Sequence, residues 1–118
     1  MEKLTHQEED LMLIIWQRQR GVIKDFIKQM DEPHPPYTTV ASIVKNLEKK
    51  GYLTSKMYGN TYEYVPLIEE REYKATFLSK IVKNYFDDSY KEMVSFFAEK
   101  NKISAEELQD IVKLIEKK

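Results

Sequence analysis

Thr38, Ser42, Lys45 and Lys49 fall on one side of a helical pattern at about 100° per residue, and they share one chemistry. All four are hydroxyl or ammonium donors, and no acid stands among them. Such a set transfers no proton or electron; it offers hydrogen bonds and positive charge to an anion. Small hydroxyl side chains followed by lysines reach base edges and phosphates in a DNA major groove. Thr39 lies beside them, and Lys50 and Lys56 extend the basic character. A solvated helix more often mixes Glu with Lys, which favours this reading; the competing explanation for Lys49 and Lys50 lies in the helix end. Gly51 suits the left-handed residue just past a helix end, and lysines favour the negative end of the helix dipole. Lys45 stands too far from Gly51 for that to be its whole role, so it is the strongest phosphate or base candidate. Thr38, Thr39 and Ser42 could also serve as caps. Their place at the helix N-terminus, the end that enters the groove when a helix–turn–helix reads DNA, favours contact with DNA.

Other chemistries find little support. The 118 residues contain no cysteine, which excludes thiolate catalysis, disulfides and thiolate metal sites. His6 and His34 are isolated from any cluster with metal-ligand spacing. Glu8, Glu9 and Asp10 follow Thr5 in a helix's first turn, where carboxylates favour the positive dipole end. Eight tyrosines suit strands and interfaces. Neither a glycine-rich phosphate loop nor a nucleophile with an adjacent base is present, so neither an enzyme nor a cofactor or metal site is expected. The net charge of −1 argues against a non-specific nucleic-acid coat. The distribution says more: residues 1–37 hold five basic against seven acidic side chains, residues 38–66 four against two, and residues 67–118 ten against eleven. The one positive segment contains the candidate recognition helix.

The elements that must position these residues follow from periodicity. Val40, Ile43, Val44 and Leu47 fall at i, i+3, i+4 and i+7, so the helix over 38–50 buries the side opposite its lysines. Thr5-His6-Gln7-Glu8 is a capping box opening a helix to about Arg20, with Leu11, Ile14, Ile15 and Trp16 apolar. Gly21 breaks it, and Ile23, Phe26, Ile27 and Met30 mark a second helix. Prolines 33, 35 and 36 exclude a helix before the third. After Gly51 the period changes: 53–58 and 61–65 are rich in Thr, Tyr and Val and flank Gly59-Asn60, a tight-hairpin signal. A hairpin is unstable alone and must pack on the helices. Helix, helix, helix, hairpin is the winged helix–turn–helix order.

The predicted fold class is therefore mostly α with a small β-hairpin: a winged helix–turn–helix DNA-binding domain over 1–66, then an all-α dimerisation tail over 67–118. In the tail, Tyr73, Phe77, Ile81 and Tyr85 share one helix face, while Leu78, Val82 and Phe86 form another. A shorter helix carries Met93, Phe96 and Phe97. Ser104-Ala105-Glu106-Glu107 is a second capping box, before Leu108, Ile111, Val112 and Ile115. About fifty residues without disulfides make a marginal core, so the tail is expected to pair with that of a second copy. Folding back on the chain's own winged domain is the alternative. Without a signal sequence or spanning segment, a cytoplasmic location is expected.

The chain resembles the penicillinase repressor family, bacterial winged-helix regulators of β-lactam resistance with copper-responsive relatives. The matching residues are Leu4-Thr5 with Glu8 and Glu9 before Ile14-Ile15-Trp16, then Tyr37-Thr38-Thr39-Val40 leading to Leu47-Glu48-Lys49-Lys50-Gly51-Tyr52-Leu53. Gly59, Tyr62, Tyr64 and Pro66 follow, and Ile103-Ser104 with Glu106, Glu107 and Leu108 resembles the start of the family's last helix. The resemblance implies a homodimeric repressor on a palindromic double-stranded operator, and induction by a membrane sensor-protease that leads to cleavage in the tail. Asn46 and Asn60 stand where family members commonly carry Arg, and they complete the expected DNA-contact set. The family's cleaved bond is typically Asn-Phe; the corresponding region here contains Ser95-Phe96. The copper branch uses paired cysteines that this chain lacks. A winged-helix module binding protein through its third helix remains the alternative function.

Overall fold

The computed structural model describes residues 1–117. The order is α1 (His6–Arg18), α2 (Ile23–Lys28), α3 (Tyr37–Lys49), β1 (Leu53–Tyr58), β2 (Thr61–Pro66), α4 (Glu70–Tyr85), α5 (Tyr90–Glu99) and α6 (Ala105–Glu116). This is the expected winged-helix order followed by helices. Two compact units divide the chain, Met1–Tyr73 and a second beginning at Lys74.

In the first unit the capping box of α1 is formed: the Thr5 hydroxyl accepts from the Glu8 amide, and the Thr5 amide donates to Glu8 Oε1 at 2.8 Å. Leu11, Met12, Ile15 and Trp16 then turn inward against Ile23 and Phe26 of α2. Val40, Val44 and Leu47 of α3 are fully buried, and Ile43 packs at the edge of the same core. The third helix ends as its sequence requires. Gly51 has φ +84°, its amide bonds to the Glu48 carbonyl, and the Tyr52 amide reaches back to the Leu47 carbonyl. Those two bonds close a Schellman cap, with Leu47 and Tyr52 both buried beneath it.

β1 and β2 pair antiparallel with Ser55 opposite Tyr64, Lys56 opposite Glu63 and Met57 opposite Tyr62. Alternation puts Leu53, Ser55 and Met57 on one face with Tyr62 and Tyr64. The hairpin is fastened at its base. Leu53 is buried, and Gly21 and Tyr64 exchange backbone hydrogen bonds of 3.2 and 2.8 Å as an isolated bridge. α1 ends before Gly21, at Arg18 with Gln19 as its C-cap at φ +73°, rather than running to about Arg20, so Gly21 serves the bridge instead. A Cβ there would meet the Phe26 ring at 2.9 Å, so only glycine allows this close approach.

The first turn of α1 ties distant parts of the unit together. Glu8, nearly buried, meets Lys50 Nζ at 2.6 Å, and that amine also donates to the Lys3 carbonyl. Glu9 accepts from the Tyr73 hydroxyl at 2.5 Å. The Tyr73 ring lies 5.2 Å from Trp16 and 6.0 Å from Tyr52, and the Trp16 indole donates to the Ile68 carbonyl. Burial works to raise the pKa of Glu8, but the bonds from Lys50 and Thr5 and the lysine charge outweigh it and leave the pKa lowered. A depressed carboxyl pKa stabilises the fold above the ordinary carboxyl value, and that contribution is lost as pH falls through the folded one. Lys50→Ala strands a buried carboxylate and is expected to cost about 2 kcal/mol or more near neutral pH. Urea unfolding across pH checks this: the deficit against the parent should shrink as the medium acidifies below about pH 4.5.

The second unit is more open. Val82 is its one buried side chain among the described residues. The Phe86 and Phe96 rings meet edge-on at 5.6 Å, Phe96 lies 5.5 Å from Phe97, and the Ser79 and Tyr90 hydroxyls are 2.9 Å apart. Ser104 and Glu107 form the expected second capping box at α6. No residue of α6 is buried, and Leu114 and Ile115 are each 66% exposed.

Candidate nucleic-acid interface

The buried stripe of α3 forces its other side outward. Thr38, Thr39, Ser42, Lys45, Asn46 and Lys49 are all exposed there. The hairpin rises beside this face. Between them runs a groove of about 630 Å³, walled by Tyr37, Thr38, Ser42 and Lys45 on the helix side and by Tyr62 and Tyr64 on the strand side. Glu48 and Ser55 join across it at 3.0 Å. Burial raises the Tyr64 pKa, and the nearby Glu48, Tyr37 and Tyr62 raise it further, so this phenol stays protonated and can donate.

Not every expected residue comes to this face. Lys50 is taken up inside the unit by Glu8 and the Lys3 carbonyl, so its amine is committed away from the groove. Lys56 is exposed, but it sits opposite Glu63 on the hairpin's other side and is aimed away from α3. Asn60 is at the tip, beside Gly59 with φ +63°. Conversely, Tyr37 and Tyr62 were not expected among the contacts, yet both line the groove and are about half exposed. Tyr37 escapes sequence reading because the helix starts one residue before Thr38, with Pro36 as its N-cap. Tyr62 could have been found by alternation: it lies two residues from Tyr64, on the same face.

The tail residues also divide. Tyr73 was expected in the tail interface, but it belongs to the first unit, where Glu9, Trp16 and Tyr52 engage it. Phe77, Leu78, Ile81 and Tyr85 lie on α4, Phe86 just beyond it, and Phe96 and Phe97 on α5. Leu108, Ile111, Val112 and Ile115 lie on α6. The Ser95–Phe96 bond lies within α5. Among the described residues no group of acids, histidines or cysteines could hold a metal ion, and no helix is long and apolar enough to cross a membrane.

Comparison with known proteins bears directly on this arrangement. The sequence profile described as penicillinase repressor matches residues 4–117. The chain belongs to the penicillinase repressor family. It is 24% identical to the methicillin resistance regulatory protein MecI of Staphylococcus aureus strain N315, covering 98% of this chain and 95% of that protein. It is 23% identical to the penicillinase repressor of Bacillus licheniformis, covering 97% and 90%. A solved organohalide-sensing transcriptional regulator in its ligand-free form shares the fold, with a TM-score of 0.51 at 13% identity. That likeness covers 98% of this chain and 62% of the other, so this chain spans less than two thirds of that regulator's length. As a member of the penicillinase repressor family the protein is a DNA-binding transcriptional regulator of the winged-helix type, and not an enzyme.

Proposed function

We propose that the protein is a homodimeric, sequence-specific repressor that occupies a palindromic operator. In this reading α3 enters the major groove with Thr38, Thr39, Ser42, Lys45, Asn46 and Lys49 toward bases and phosphates, while Lys56 and Asn60 of the hairpin meet the flanking backbone. The observation that carries it is the exposed face of α3: hydroxyls, one carboxamide and amines, supported from behind by Val40, Val44 and Leu47. The regulated genes would be of the β-lactam-resistance type or related stress genes, in keeping with the MecI and penicillinase repressor relatives. A membrane sensor-protease would release repression by a cut near Ser95-Phe96.

Dimerisation is assigned to the tail. On α6, Ile111, Val112, Leu114 and Ile115 are 44–66% exposed although they make the helix strongly amphipathic. Covering that surface with a second copy would remove an apolar patch that monomeric proteins seldom expose.

A mobility shift with the promoter upstream of the protein's own gene tests the reading. Lys45→Ala should bind less tightly while its circular dichroism matches the parent, because Lys45 points away from the core. Loss of a phosphate contact weakens all sequences alike and lowers the salt slope by about one per subunit; loss of a base contact relaxes specificity at one position. Unchanged affinity in a folded variant removes Lys45 from the site. Failure to shift any duplex favours a protein partner for this face instead.

A further inference from the structure

Glu48 is the one acid on α3, and it lines the groove beside Lys45. A free carboxylate there would repel phosphate and lower affinity for DNA. Its Oε2 instead accepts a 3.0 Å hydrogen bond from the Ser55 hydroxyl of β1. Among the described residues this is the one side-chain hydrogen bond between α3 and the hairpin. The Schellman turn at Gly51 makes it possible by reversing the chain, so that β1 leaves alongside the last turn of α3.

Ser55 is well placed for such a bond. Its hairpin partner is Tyr64, and the next pair on the same face is Met57 with Tyr62. Holding Ser55 against Glu48 therefore sets how far Tyr62 stands from the exposed start of α3. The two walls then present phenols at Tyr37 and Tyr62, hydroxyls at Thr38 and Ser42 and the ammonium of Lys45. Donors on both sides, with one positive charge on the helix side and aromatic side chains on each, suit a sugar–phosphate strand: phosphate oxygens accept, and sugars pack on apolar surface.

We propose that Glu48 is a positioning residue: bonded to Ser55, it bolts the hairpin to the recognition helix and fixes the width of a groove that seats one DNA strand, with Tyr37 and Tyr62 as contacts. This rests on the DNA-binding reading of α3.

Three variants test it, since charge and hydrogen bond predict opposite signs. Glu48→Gln keeps an acceptor for Ser55 and removes the charge; it should bind the promoter duplex at least as tightly as the parent. Glu48→Ala and Ser55→Ala lose the bond and should bind roughly tenfold more weakly, with hydroxyl-radical protection lost on the strand beside the hairpin. In the free protein, hydrogen exchange of β1 and β2 amides should speed up in those two variants and not in Glu48→Gln, while α1 to α3 keep the parent's protection. Glu48→Ala binding as tightly as the parent, or more tightly, would show the carboxylate to be a mere repellent and overturn the proposal. If the parent shifts no duplex, the DNA reading itself fails. Hairpin exchange identical in the parent and Glu48→Ala would separately refute the bolt.

Discussion

Affinity for the proposed operator is expected to fall roughly a thousandfold between about 50 and 200 mM salt. The expectation comes from three exposed lysines per subunit, Lys45 and Lys49 on α3 and Lys56 on β1. A dimer brings six to the phosphates, and each neutralised phosphate contributes roughly −0.9 to the log–log slope, for a total of about −5. Had Lys50 been free, the sequence would have argued for eight contacts and a slope of about −7. Its commitment to Glu8 lowers the figure, so the measurement also reads that ion pair. Net charge near zero leaves little long-range steering, and most of the slope must arise from these contacts. Titrating a labelled promoter duplex at several salt concentrations decides the matter. A nearly flat dependence would mean that α3 and the hairpin meet something other than DNA.

Removing the tail should have the second-largest effect. A chain ending at Ala75 keeps Ile68 and Tyr73 over Trp16, together with the whole core of the first unit. It should remain folded and sediment as a monomer, whereas the full-length protein should sediment as a dimer. Two linked half-sites gain by effective concentration, so the shortened chain should bind the full operator about 10²- to 10⁴-fold more weakly. A chain ending at Pro66 loses the Ile68 carbonyl and the Tyr73 ring and should also unfold more readily. Full-length protein sedimenting as a monomer at micromolar concentration would refute the dimer and the palindromic operator with it.

The features legible in the sequence are those set by neighbours along the chain. The stripe of α3, the capping boxes at Thr5 and Ser104, the αL glycine at 51 and the Gly59-Asn60 turn are all encoded within a few residues, and each is present. What sequence reading misplaced depends on partners far away. Lys50 looked like a solvated dipole partner or a phosphate contact because nothing near it announces Glu8, 42 positions earlier. Tyr73 fitted a tail stripe equally well until Glu9 and Trp16 claimed it. The Gly21–Tyr64 bridge spans a single residue on each side, too short to leave any periodicity. For the same reason the sequence presents Glu48 as an ordinary helix acid, when Ser55 gives it a partner across the groove.

The ties gathered on α1 bear on how the molecule is made. Glu8 waits for Lys50, Trp16 for Ile68 and Glu9 for Tyr73, separations of 42, 52 and 64 residues. Contacts so distant in sequence form late and slowly, and a chain growing from the ribosome emerges N-terminus first. The first helix is therefore synthesised long before its last partners exist. A nascent chain has no complete reading head until the opening turn of α4 has left the exit tunnel, and by then translation has already entered the tail. Maturation of the proposed DNA-reading surface is thus timed to production of the segment proposed to pair it with a second copy.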